Sequence, residues 1–484
     1  MPDLQERPQL SLVEAIIPVA SLVLLVGLSY YLFEDEGANG PNQVGMVVAT
    51  MIAVFLAWWR GYTLHELSDA AIASVSSGMG AIFILFAVGA LIGTWAMSGT
   101  LVAMVYYGLQ ILNPAYFYVS AAAIATVISF GIGSSWTVVG TVGIGLMGIS
   151  AAMDLNPAIT AGAIISGAYF GDTVSPLSDS ANLAAGVGNV NLYTHIRRTG
   201  LMAAGALAIA LCVFWFIGGA GDFDPSYKLY VLNSDFHVSP ALFLPLALVV
   251  VLALLKVRPF TTIFLGALAG GLMAVIVAPE RVQAFAEADH HVPASLAQLK
   301  GVWAAIARGY VSTTGHEMVD QLATRGGMRS MLTTVWLIIA AFAFGGIAEK
   351  IGVLERLIDP IARAAKSAGS LVVMLVISVL ATSIATADQY LAIVLPGRMF
   401  KRSFEERDQP PVLLSSSVGA SATPTSALIP WNSCGAYMAA TLGVATFSYA
   451  PYAIFNLVNP LLAIAVAYLG TRAYTQRDKR DEAT

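Results

Sequence analysis

Apolar runs near membrane-spanning length recur along almost the whole chain, at Leu12–Phe33, Val44–Trp59, Gly80–Met97, Ala203–Gly219, Pro240–Leu255, Thr261–Ala278, Met331–Ala348 and Phe447–Leu469. At 1.5 Å rise per residue each crosses about 30 Å of hydrocarbon, some with tilt or bilayer thinning. The 484 residues are 57% hydrophobic and only 11% charged, where a soluble domain carries about 25% charged residues. So much apolar surface has to face lipid. Residues 1–484 therefore read as one all-α polytopic membrane domain. Leu12–Phe33 is longer than a signal-peptide core and no small-residue cleavage pattern follows it, so it reads as a retained span.

Charges fall between the spans. The stretch 280–330 holds Glu287, Asp289, His290, His291, Lys300, Arg308, Glu317, Asp320 and Arg325, and reads as a polar connector with short amphipathic helices. Glu34-Asp35-Glu36 suits the outside. Lys256–Arg258, Lys350–Lys366, Lys401-Arg402 and the tail Arg472–Arg480 suit the cytoplasm, which gives an N-in, C-in orientation. No basic patch is interleaved with aromatics, so nucleic acid is not an expected partner. Cys212 and Cys434 read as two unpaired core thiols, and His195 as an interfacial residue. His290-His291 lack a third ligand for a metal, and no cofactor is expected.

An internal repeat runs through the chain, with copies at about 79–219 and 331–469. Gly93 and Gly99 stand 253 residues before Gly346 and Gly352, Ser135 stands 253 before Asp388, and Pro176 stands 254 before Pro430. The segment around Gly352 carries Lys350, Arg356, Arg363 and Lys366, whereas Ser98–Leu112 has no Lys or Arg. The copies thus read as inverted in topology. Mirrored halves that exchange states give a transporter alternating access.

Each copy holds two polar interruptions: Gly131–Thr137 and Gly171–Asn182 in the first, Ser383–Gln389 and Ser421–Ser433 in the second. Basic residues flank the Asp388 segment on both outer sides, at Lys366 and Lys401-Arg402. It therefore reads as a re-entrant helical hairpin tipped near Thr386–Gln389, and Tyr116–Met147 as its counterpart tipped by Ser134-Ser135. Gly171–Asn182 and Ser421–Ser433 read as unwound centres of broken transmembrane helices, since Pro removes a backbone donor and Ser and Thr compete with the helical ladder. Bare backbone at that depth has to be buried in protein or line a cavity.

Such breaks free carbonyl oxygens, and Ser134, Ser135, Thr137, Ser175, Asn182, Thr386, Gln389, Thr425, Ser426, Asn432 and Ser433 add neutral ones. Hard cations take oxygen ligands, and a carboxylate among them binds either Na⁺ or H⁺. Competition for one carboxylate is the simplest exchange mechanism. Asp172 and Asp388 are the expected Na⁺ positions, because an unpaired charge at mid-membrane costs about 2.5–3.5 kcal/mol and is kept there for function. Asp179 has two readings, ligand or helix cap. Single Ser and Thr residues in membrane helices often only pack or hydrogen-bond.

Five blocks carry a family resemblance: Gly89–Leu101, Gly171–Leu183, Arg325–Met328, Asp388–Phe400 and Ile429–Leu442. On them the chain resembles the NhaC family of Na⁺/H⁺ antiporters, within the wider ion-transporter superfamily. The resemblance implies Na⁺/H⁺ exchange across a prokaryotic plasma membrane, a mobile domain of hairpins and broken helices, and a dimer-forming scaffold, hence a homodimer. It places cation and proton binding at Asp172, Ser175, Asp179 and Asn182, at Ser134, Ser135 and Thr137, and at Asp388 and Gln389. The Gly-Ile-Gly-Ser-Ser-Trp tip is less Thr-rich than the family pattern. Two other functions compete. One is a Na⁺/H⁺-coupled exchanger of small organic acids such as malate and lactate, which would want a fixed cation in the site; the four interruptions hold no Lys or Arg. The other is an intramembrane aspartyl protease with Asp172 and Asp388 as its dyad, but Tyr169-Phe170-Gly171-Asp172 lacks the first glycine of that motif.

Overall fold

The computed structural model describes residues 10–218, 224–288, 291–364 and 367–469. Asp289, His290, Lys366 and Arg472–Arg480 lie outside them. Among the described residues every regular element is a helix, apart from an isolated bridge between Tyr310 and Arg325. Lipid offers no partner to backbone groups, so the helix satisfies them internally. Among the described residues nine helices are long and apolar enough to cross a membrane, or eleven if two bent pairs each count as one span. Those pairs, Ser226–Phe236 with Pro240–Leu254 and Thr446–Tyr452 with Ile454–Leu469, turn by 83° and 57°. Within the described residues every span read from the sequence falls on one of these elements; Gly219, the last residue of one of them, lies outside.

The elements that build the site are α1 (Met79–Ser98), α2 (Phe117–Ile132), α3 (Ser135–Ala152), α4 (Pro157–Val174), α5 (Asp179–Gly188), α6 (Leu192–Phe216), α7 (Leu332–Lys350), α8 (Ala368–Thr386), α9 (Gln389–Glu405), α10 (Pro411–Ser426) and α11 (Ser433–Leu442). The run α2–α5 has the same element order as α8–α11. Left-handed residues turn the two tips, Gly133 at φ 76° and Ala387 at φ 58°. Ser134 caps α3 and Asp388 caps α9; Pro157 opens α4 and Pro411 opens α10; Ser178 caps α5 and Asn432 caps α11. Each of these pairs is 254 residues apart. Ser134, rather than Ser135, therefore stands opposite Asp388, one residue off the register read from the glycines.

The two tips are reached from opposite sides. The end of α3, the start of α4 and the start of α7 at Met331 share one cleft with the connector. Helix α7 then runs 19 residues away from it, about 28 Å at 1.5 Å per residue, before the chain turns into α8. Helices α8 and α9 pack along each other as a hairpin, while α2 packs mainly along α4.

The connector holds Pro279–Ala286, Ala294–Arg308 and Glu317–Ala323 as short helices, and it is no loose loop. The Gly327 amide donates to the Gly89 carbonyl of α1 at 2.6 Å. A Cβ on Gly89 would lie 2.5 Å from the Gly327 oxygen, so only glycine lets these backbones meet. Two sequence readings are corrected. Cys212 is exposed, facing outward from α6. His195 is fully buried, with its ring nitrogens 3.2 Å from Ser415 Oγ and 3.5 Å from Thr199 Oγ1, because α6 packs on α10 at that level.

Candidate cation site

Asp172 lies in the last turn of α4 and is buried. The helix stops at Ser175 and a new one starts after Ser178, and side chains at the start of that helix reach this carboxylate. Its Oδ2 accepts from the Ser135 hydroxyl at 2.5 Å and from the Ser135 amide at 3.4 Å. Its Oδ1 lies 2.9 Å from Ser178 Oγ and 3.0 Å from Ser180 Oγ. The same two hydroxyls lie 2.5 Å and 2.9 Å from the Asp172 carbonyl. No cationic side chain pairs with the carboxylate among the described residues. Three hydroxyls donate to the ionised acid, and each keeps acceptor lone pairs that a cation can use when the hydroxyl turns. Carboxylate, carbonyl and hydroxyl oxygens therefore converge where a half-helix ends, the arrangement by which broken membrane helices hold small cations.

The second half repeats the joint with neutral groups. Ser426 Oγ donates to Gln389 Oε1 at 3.1 Å, and Cys434 Sγ lies 2.9 Å from the same oxygen. Asn432 Nδ2 reaches Ser383 Oγ at 3.1 Å, the Ser433 amide donates to the Ala387 carbonyl at 2.9 Å, and Trp431 Nε1 donates to the Ile384 carbonyl at 2.8 Å. Both tips are thus clamped onto the break of the following helix. The halves meet where Trp136 stacks on Tyr437, with centroids 4.1 Å apart and planes 15° apart, and Tyr437 Oη donates to the Trp136 carbonyl at 2.8 Å.

The expected ligands divide in two. Asp172 and Ser135 are joined directly, and Gln389, Ser426, Asn432 and Ser433 form the second joint. Asp388 is half-buried and spends Oδ1 on the Leu391 amide at 2.7 Å, as the cap of α9. Thr386 and Thr425 return their hydroxyls to the carbonyls of Thr382 and Ser421, at 2.8 Å and 2.7 Å. Ser134 accepts from the Thr137 amide and hydroxyl at 3.3 Å and 3.1 Å. Ser175 accepts from the Leu177 amide at 3.2 Å, and Asn182 donates to the Ser178 carbonyl at 2.8 Å. Asp179 and Asn182 are exposed on α5. The cap role open to Asp179 belongs to Ser178, which accepts from the Ala181 amide at 3.2 Å. Asp172 and Asp388 make no direct hydrogen bond to each other, and each is bonded within its own half.

Sequence reasoning missed Ser178, Ser180 and Cys434 as partners. The Ser178-Asp179 pair offers two capping side chains in succession, and only the Ser178 hydroxyl three residues before Ala181 fits the usual cap spacing. Ser180 reaches Asp172 across the break, which no periodicity reveals.

A family model described as the Na⁺/H⁺ antiporter family matches residues 167–471. The Na⁺/H⁺ antiporter NhaC of Alkalihalophilus pseudofirmus is 34% identical over 432 residues, 88% of this chain and 90% of that one. A malate-2H⁺/Na⁺-lactate antiporter of Bacillus subtilis is 32% identical over 461 residues, 94% of each. An arginine/ornithine antiporter of Halobacterium salinarum is 32% identical over 480 residues, 98% of this chain and 94% of that one.

Proposed function

The chain belongs to the Na⁺/H⁺ antiporter family, and we propose that it exchanges Na⁺ for H⁺ across a prokaryotic plasma membrane through Asp172. The observation that carries this reading is a buried carboxylate bonded to three serine hydroxyls and to no cation. A fixed Lys or Arg on Asp172 would hold it ionised and fill the place of the transported ion. Serines do neither. With a proton on the acid the site is neutral. With Na⁺ among the carboxylate, carbonyl and hydroxyl oxygens it is neutral again. Either loaded form crosses the low-dielectric interior at less cost than the empty, charged one. Asp388 supplies a second acid, at the tip of the other half beside the Gln389–Ser426 joint.

The orientation, N-in and C-in, rests on the Lys and Arg distribution along the chain. The homodimer rests on the family resemblance alone, and the mass of the solubilised particle tests it. Purified protein in liposomes with a preset pH gradient tests the exchange. Added Na⁺ should collapse the gradient without any organic acid. No collapse with Na⁺ alone, and collapse once malate or lactate is supplied, would transfer the function to organic-acid exchange.

A further inference from the structure

A cleft of about 730 Å³ opens between the end of α3, the start of α4, the end of α11 and the connector. That volume is usual for a small-molecule site. Two charged side chains line it, Asp154 and Arg325. Asp154 already has its counter-ion, Lys228 Nζ at 2.7 Å. Arg325 does not. It is half-buried, and among the described residues its guanidinium has no hydrogen-bond or ion-pair partner.

The backbone holds this arginine in place. Arg325 pairs with Tyr310 through amide-to-carbonyl bonds of 3.1 Å and 3.3 Å, and the next two glycines wedge against α1. A guanidinium carries five N–H donors in a planar fork, and leaving them unpaired in a partly dry cleft is costly. The complement to that fork is a planar anion that accepts two bonds at once. Hydroxyls of Thr324 and Thr441 also line the cleft, so a bound anion finds further donors there.

We propose that this cleft binds a small carboxylate anion at Arg325. A carboxylate takes both arms of the fork, whereas chloride takes a single point of it. The site is distinct from the cation site. Helix α3 runs from Ser135 to the cleft, and α4 runs from the cleft to Asp172, so the two sites occupy opposite ends of the same helices. The four polar interruptions contain no fixed cation. The connector brings one in from elsewhere in the chain.

The test uses the full-length protein in liposomes, with S330C as a reporter on a C212S background. Ser330 is exposed and lines the cleft. Its maleimide labelling rate is followed in sodium malate, sodium lactate and sodium chloride at equal ionic strength. Malate or lactate should slow labelling saturably while chloride does not. R325Q should raise the protecting concentration about tenfold or more, and R325K by less, since Lys keeps the charge without the fork. Equal protection by chloride, unchanged protection in R325Q, or no protection by either carboxylate overturns the proposal. If R325Q does not insert, R325K decides alone: weakened protection supports the proposal and wild-type protection overturns it. Na⁺/H⁺ exchange by R325Q without carboxylate keeps the two readings separable, because no cation ligand has been changed.

Discussion

The Ser135 hydroxyl meets the Asp172 carboxylate at 2.5 Å across 37 residues of sequence, joining a hairpin tip to the break of the helix that follows. Gln389 and Ser426, also 37 residues apart, make the corresponding contact in the other half at 3.1 Å. The positions correspond one to one at 254 residues, yet only one joint contains an acid. Two mirrored joints give the fold its alternating geometry, and a single bonded carboxylate gives it one place to trade a proton for a cation.

Asp172→Asn keeps the shape of the side chain but removes the exchangeable proton. Na⁺-driven collapse of a pH gradient in liposomes should fall to the level of empty vesicles, while the protein still elutes as a folded particle. Wild-type exchange in this variant would remove Asp172 from the mechanism.

Much of this was legible before any coordinates. The spans, the two tips and the two breaks follow from apolar run length and from Gly, Pro, Ser and Thr inside those runs. Asp172 stood out because a charge at that depth is expensive. What could not be read were the relations across breaks. Ser178 and Ser180 face Asp172 only because the helix breaks at Ser175 and the next one starts beside the carboxylate. Ser135 was matched to Asp388 because the glycine blocks run at 253 residues while the tips run at 254. Arg325 reads from the sequence only as one charge of a polar connector and the first residue of a family block, and only the docking of Gly327 on Gly89 brings it to the core.

Ser135→Ala removes one charge-assisted hydrogen bond from Asp172, a contact worth about 1.5–3 kcal/mol. If the hydroxyl also ligates the ion, the Na⁺ concentration for half-maximal exchange should rise about tenfold or more. Ser175→Ala should leave it within about twofold, because that hydroxyl serves only the Leu177 amide. An equal effect of both substitutions would contradict the assignment.

The tips respond oppositely to a methyl group. A Cβ on Gly133 would lie 2.7 Å from the Leu177 carbonyl carbon and 2.8 Å from the Ser178 amide, on a residue at φ 76°. Gly133→Ala should lower the melting temperature and cripple exchange. Ala387→Gly relieves a left-handed alanine, a strain of about 1–2 kcal/mol, and should leave both unchanged or raise stability slightly. Scanning fluorimetry with the transport assay reads both variants.

Asp320 anchors the connector by accepting from the Thr314 amide at 2.8 Å, the Thr314 hydroxyl at 2.9 Å and the Gly315 amide at 3.1 Å. Burial alone pushes its pKa up, but these bonds outweigh burial and hold it below the ordinary carboxylate value. A lowered folded pKa stabilises the fold fully above the unfolded value, about 3.9. That contribution fades as pH falls through the folded pKa. Amide exchange across 312–320 should therefore accelerate below about pH 4 relative to its intrinsic rate. In Asp320→Asn it should be fast at every pH.

Proton release on Na⁺ binding reaches the central claim most directly. Calorimetric titration of the solubilised protein with Na⁺, in buffers of different ionisation enthalpy, counts the protons released per bound ion. Under conditions where the acid is protonated, the wild type should release close to one proton per Na⁺ and Asp172→Asn none. Na⁺ binding by the wild type without proton release, or the same release from Asp172→Asn, would mean that the ion and the proton do not share this carboxylate.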